Sequence, residues 1–293
     1  MKGTILKNKS LEPTAIGIFD SGIGGLSVLK SFQEINPGFP VFYFADQQHV
    51  PYGPRTIEEI REFSFVIAEF LIQQGAQVIV VACNTASAAA LHPLRKKFPH
   101  IQFVGMEPAV KPAAETTHSG RVGVLATPAT FQGKLYTSVV ERFAKDVIIY
   151  QNTCPGLVQE IEAGNLTGDT TQRILNDALL PMMIEGIDTV VLGCTHYPFV
   201  IPVIQAITGE KVRIIDPAPA VAKQTLKIAL NLEKQPNLIS SPEVTLISSG
   251  NFDKFKQTII SLKIPYIQLL SAKWEEQNQR LNITQPSNED FKV

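Results

Sequence analysis

Two short segments carry the groups best suited to proton chemistry. Cys83-Asn84-Thr85 and Cys194-Thr195-His196 each place a thiol after an apolar run and before polar side chains. A lone cysteine ending a strand is usually a small buried hydrophobe. Cys83, however, precedes a small-residue stretch, Ala86 to Leu91, that reads as a helix. Its sulfur is therefore expected at a helix N-terminus, with a lowered pKa and thiolate character. Asn84 and Thr85 add an amide and a hydroxyl able to orient a carboxylate or an ammonium group, beside their ordinary use as helix caps. Of five histidines, His196 alone stands beside such a turn, where an imidazole can move protons near neutral pH.

Three chemistries compete for this set. A Cys/His hydrolase uses one thiol and the imidazole and leaves the second thiol unexplained. A zinc site built from Cys83, Cys194 and His196 lacks the compact C-x-x-C spacing of structural sites. Two thiols flanking one carbon account for the duplication itself, because inverting a stereocentre means taking a proton from one face and returning one to the other. A carbon acid this weak also needs hydrogen-bond donors around the developing anion.

The elements that must position these groups follow an α/β pattern. Strands are expected at Ala15–Phe19, Val41–Ala45, Val78–Ala82, Ile101–Gly105, Arg121–Leu125, Val147–Tyr150, Thr189–Leu192 and Val212–Ile215, with helical periodicity over Ile57–Gln74, Gly133–Phe143, Thr170–Glu185 and Pro219–Leu232. Nearly continuous apolar strands suit parallel sheets covered on both faces. The organisation is duplicated: Gln77-VIVVACNTAS matches Asp188-TVVLGCTHYP in grammar, and Ile16-GIFDSG echoes Val122-GVLATPAT. Two pseudosymmetric α/β domains with mainly parallel sheets are expected. Domain changes near Pro108–Ser119 and Asp216-PAPA make residues 1–112 the first domain, completed by 217–293 including a strand at Val244–Ile247, and 113–216 the second. After Trp274 the pattern suggests a surface helix and a loose tail.

Composition narrows the partners. The chain has 293 residues, 44% apolar, with 26 Lys+Arg against 27 Asp+Glu and a formal net charge of -1. Disorder is excluded, and a near-zero charge balance argues against nucleic acid. The densest basic run, Leu94 to Lys97, reads as the solvated end of a helix. Cys83, Cys154 and Cys194 form no disulfide framework, and Met1 to Thr14 is polar and reads as a frayed extension rather than a signal peptide, so the reducing cytosol is expected. No run approaches the ~20 apolar residues of a membrane span.

The glycine-rich turn Asp20-SGIGG could present backbone N–H groups to an anion. As a dinucleotide fingerprint it fails, because Ser27 stands where the last glycine belongs and Asp20 would repel a pyrophosphate. Asp46, at the distance of a ribose-binding acid, then reads as a polar strand terminus.

In order, DSGIGG (20–25), VPYG (50–53), ACNTAS (82–87), GMEPAVKPA (105–113), VGVLAT (122–127) and GCTHYP (193–198) resemble glutamate racemases of the cofactor-independent aspartate/glutamate racemase superfamily, over roughly Ile16 to Leu270. The resemblance implies two α/β domains with the active site at their interface, no cofactor or metal, a homodimer, and glutamate as substrate, D-glutamate feeding bacterial peptidoglycan synthesis. It implies that Cys83 takes the proton from D-glutamate and Cys194 from L-glutamate, assisted by Asp20 and His196. The substrate-binding pairs it implies are Asp20 with Ser21, Tyr52 with Gly53, Asn84 with Thr85, and Thr195 with His196, and Glu162 matches an acidic residue near the site. Ala129, before Thr130, stands where the family commonly has glycine, and His49 precedes VPYG where other residue types are usual.

Overall fold

The computed structural model describes residues 14–232, 243–275 and 280–284. Its first stretch runs β1 (Ala15–Asp20), α1 (Leu26–Gln33), β2 (Val41–Ala45), α2 (Ile57–Gln73), β3 (Ala76–Val81), α3 (Asn84–Lys97), β4 (Gln102–Gly105) and α4 (Val110–Thr116). A second stretch follows with β5 (Arg121–Ala126), α5 (Pro128–Gln132), α6 (Lys134–Phe143), β6 (Ile148–Asn152), α7 (Leu157–Glu162), α8 (Asp169–Ile184), β7 (Thr189–Gly193), α9 (Ile201–Thr208) and β8 (Arg213–Ile215). The chain then adds α10 (Ala218–Leu232), β9 (Val244–Ser248), α11 (Phe252–Ser261), β10 (Gln268–Glu275) and β11 (Arg280–Thr284).

These strands form two sheets, ordered β11-β10-β9-β2-β1-β3-β4 and β6-β5-β7-β8. The run β2-β1-β3-β4 and the run β6-β5-β7-β8 have the same order, and every pair in both is parallel. The duplication read from the strand-and-cysteine segments is thus a duplication of topology. Each thiol follows the third strand of its unit.

Burial explains the strand composition. All six residues of β1 are buried, as are all five of β7, because helices cover both faces of a parallel sheet. The segment after Asp216 returns to the first sheet: α10 packs on α1, β9 pairs in parallel with β2, and β10 with β9. Helix α2 starts at a capping box in which Thr56 and Glu59 each accept the other's backbone N–H. The basic run Arg95 to Lys97 is the last turn of α3, as expected. Among the described residues, no helix is long and apolar enough to cross a membrane.

One expectation fails. Trp274 lies within β10, and Arg280–Thr284 form β11, antiparallel to it, where a surface helix was expected. β11 reads Arg-Leu-Asn-Ile-Thr and alternates polar with apolar residues over only five positions. Of its two apolar side chains only Leu281, paired with Trp274, is buried, so the signal is too short to mark an edge strand. The expected N-terminal extension up to Pro13, and residues 276–279 and 285–293 of the expected tail, lie outside the described residues.

Candidate active site

Loops from both sheets converge at the carboxyl ends of the parallel strands, the edge where open α/β sheets take ligands. Ser21 follows β1; Pro51, Tyr52 and Gly53 follow β2; Cys83, Asn84 and Thr85 follow β3. From the other sheet come Thr127 after β5 and Cys194, Thr195 and His196 after β7, with Val158 from α7. All line one cavity of about 20 Å³. That is room for about one water molecule.

Cys83 is the N-cap of α3, its Sγ accepting from the Ala86 N–H at 3.4 Å and lying 3.8 Å from Ser21 Oγ. The helix N-terminus was expected to lower its pKa, and that expectation is overturned. Burial, followed by the Asp20 carboxylate, pushes the thiol up to about 12, outweighing the Ala86 N–H. Asp20 does not bond Cys83 directly. Its Oδ1 accepts from the Gly22 N–H at 3.0 Å and its Oδ2 from Thr195 Oγ1 at 2.9 Å, so it joins the two sheets. Burial raises the Asp20 pKa despite the opposing field of His196.

On the other side, His196 lies between Cys194 and Glu162. Its Nδ1 is 3.8 Å from Cys194 Sγ and its Nε2 2.6 Å from Glu162 Oε1. Burial works against the imidazolium, yet hydrogen bonds to Cys194 and Glu162 outweigh it and lift the pKa well above its ordinary value. For Glu162 burial works against the carboxylate, and the His196 contact with the Ile23 and Gln47 donors outweighs it and lowers the pKa. Glu162 is buried, not on a solvated surface, and accepts from the Ile23 N–H at 2.8 Å and Gln47 Nε2 at 3.0 Å.

This contact explains the glycine-rich turn. Its Gly22 and Ile23 N–H groups serve the chain's own Asp20 and Glu162, not an external phosphate. A Cβ on Gly22 would stand 1.9 Å from Glu162 Oε1, and one on Gly24 would stand 2.4 Å from His196 Nδ1. The turn is bare so that the second sheet's acid and imidazole can reach the first sheet.

Asn84 is buried, and neither Oδ1 nor Nδ2 of its amide has a hydrogen-bond partner among the described residues. Such groups are costly unless something pairs with them, so the amide reads as a ligand contact. Thr85 Oγ1 bonds Thr127 Oγ1 at 2.9 Å across the two sheets, and Thr127 bonds Thr130 Oγ1 at 3.0 Å. Ala129 lies in α5 without a left-handed backbone, so its place needs no glycine. Thr127, Pro51 and Val158 were not singled out from the sequence. Thr127 was findable, since aligning Ile16-GIFDSG with Val122-GVLATP puts it opposite Ser21. Cys154 is buried but does not line the cavity. Among the described residues no group of three or more His, Cys, Asp or Glu is arranged to hold a metal ion.

A model of the Asp/Glu/Hydantoin racemase family matches residues 20–225. The chain belongs to that family. Within it, the chain is 45% identical over 262 residues to the glutamate racemase of Roseiflexus sp. (strain RS-1), covering 89% of this chain and 95% of that one. The crystal structure of Escherichia coli glutamate racemase in complex with L-glutamate and the activator UDP-MurNAc-Ala matches with a TM-score of 0.78 at 29% identity, covering 93% of this chain and 100% of that one. The glutamate racemase of Francisella tularensis in complex with D-glutamate matches with a TM-score of 0.76 at 30% identity, covering 88% and 96%.

Proposed function

We propose that this chain interconverts L- and D-glutamate, moving the Cα proton with Cys83 and Cys194 as paired bases. The observation that carries the reading is that two thiols, each following the third strand of its own sheet, line the same small cavity as an unpartnered Asn84 amide. The similar enzymes crystallised with L- and D-glutamate support the substrate.

In the forward step one thiolate takes the Cα proton, and the Cα–H electron pair delocalises into the α-carboxylate. The opposite thiol then gives its own proton to the other face of Cα. After one turnover the two sulfurs have exchanged protonation states, and the reverse reaction uses them in swapped roles. Cys194 acts on L-glutamate with His196 as its proton partner, and Cys83 on D-glutamate within the field of Asp20. Asn84, Thr85, Thr195 and Ser21 hold the carboxylate and ammonium, and Tyr52-Gly53 closes one wall. N–H groups of the first turn of α3 favour the enediolate. No cofactor is called for.

A thiol near pKa 12 is a poor base until something favours its anion. The substrate ammonium does so: at ~4 Å and an effective dielectric of ~20 it stabilises a thiolate by about 4 kcal/mol, roughly a thousandfold in ionisation constant. A cavity of about 20 Å³ also requires the two sheets to part before glutamate is bound.

The reading extends to domains of residues 1–112 with 217–293 and of 113–216, to a homodimer, and to cytosolic supply of D-glutamate for peptidoglycan. Polarimetry on L-glutamate and L-aspartate side by side tests the substrate. Loss of rotation with L-glutamate alone is expected, and turnover of aspartate alone overturns the assignment.

A further inference from the structure

Asp46, at the end of β2, gathers four side chains onto one fully buried carboxylate. Oδ2 accepts from Tyr52 Oη at 2.7 Å and contacts His49 Nδ1 at 2.9 Å. Oδ1 accepts from Ser249 Oγ at 2.8 Å and Trp274 Nε1 at 2.8 Å. His49 is stacked on Phe63 with ring centroids 4.0 Å apart, and its edge meets Trp274 at 4.8 Å. The residue before VPYG that departs from the family pattern is therefore packed into this cluster.

We propose that Asp46 is the positioning residue for the Tyr52-Gly53 wall of the cavity, a role that rests on the glutamate reading above. Tyr52 turns its hydroxyl away to Asp46, so what it offers the cavity is its ring and the backbone leading to Gly53. A Cβ added to Gly53 would just reach van der Waals contact with Thr127 Cβ, at 3.4 Å, so this wall faces the loop after β5 of the opposite sheet across about the width of a methyl group. A shift of the loop changes the fit around the substrate. It leaves the thiols in place, because they are held by β3 and β7. Trp274, the single tryptophan of the chain, bonds the same carboxylate and reports on it.

The test compares wild type, Asp46→Asn, Tyr52→Phe and the double variant, by glutamate kinetics and Trp274 emission. Both single variants are expected to raise KM for glutamate, about tenfold for Asp46→Asn, with kcat changed less than about threefold. The double variant is expected to be no worse than Asp46→Asn, since the Tyr52–Asp46 bond is the contact that the two substitutions share. Tyr52→Phe is also expected to alter Trp274 emission in the ligand-free protein, a readout that stands if Asp46→Asn does not fold. Unchanged KM in Tyr52→Phe, a fall in kcat at constant KM, or multiplying effects in the double variant overturn the role. A wild type that does not turn over glutamate overturns the functional reading instead. The positioning role is then decided by the ligand-free emission, and an unaltered Tyr52→Phe spectrum overturns it.

Discussion

His196 Nε2 meets Glu162 Oε1 at 2.6 Å while the same ring turns Nδ1 toward Cys194 Sγ at 3.8 Å. One thiol therefore has a protonatable ring beside it, anchored by a buried acid. The other, Cys83, has a serine hydroxyl, a backbone N–H and the field of Asp20. The sheets are duplicated in topology, and the surroundings of their thiols differ.

The pair has a pH signature. His196 holds its proton more tightly when folded, so its contribution to stability is complete below about pH 6.5 and is lost as pH rises through the folded value. Glu162 has a lowered folded pKa, so its contribution is present above about pH 4.5 and lost as pH falls through that folded value. Urea unfolding is expected to find Glu162→Gln less stable than wild type by about 3 kcal/mol near pH 5.5, the gap narrowing once pH passes the folded pKa of His196. A gap that widens in alkali contradicts the charged pair.

Gly24 gives a steric test. A Cβ there would stand 2.4 Å from His196 Nδ1 and 2.6 Å from Thr195 Oγ1, both on buried side chains. Gly24→Ala is expected to lower kcat about a hundredfold by displacing the imidazole. Gly168→Ala is the control: its φ is -66° and none of the described residues lies within 4 Å of the new Cβ, so activity is expected to be unchanged.

Cys83 gives a chemical test. A thiol pushed up to about 12 by burial is almost wholly protonated at neutral pH. Iodoacetamide labelling followed by peptide mass spectrometry is expected to leave Cys83 largely unmodified at pH 8, with labelling rising through pH 10. Rapid labelling at pH 7 contradicts the burial account.

How much of this was legible beforehand depends on whether the cause is local. The strands before Cys83 and Cys194 are short apolar runs ended by small residues, and their pattern shows in the sequence. The Glu162–His196 contact joins residues 34 positions apart. Its sequence trace is the bare Gly22 and Gly24, whose reason shows only once the second sheet is in place. The direction of the Cys83 shift does not show in the sequence, because a helix N-terminus is local while burial beside Asp20 is a property of the assembled site. Asp46 reads as an ordinary strand end because its partners Ser249, just after β9, and Trp274, in β10, lie more than two hundred positions away in a segment that returns late to the first sheet.

The most direct measurement is proton NMR at Cα during turnover of L- and of D-glutamate in D2O, for wild type, Cys83→Ser and Cys194→Ser. In wild type the product of each direction is expected to carry solvent deuterium from the first turnovers while unreacted substrate keeps its proton, and both variants are expected to lose interconversion. Product that retains the substrate's proton, or near-normal racemisation by either variant, contradicts the two-thiol mechanism.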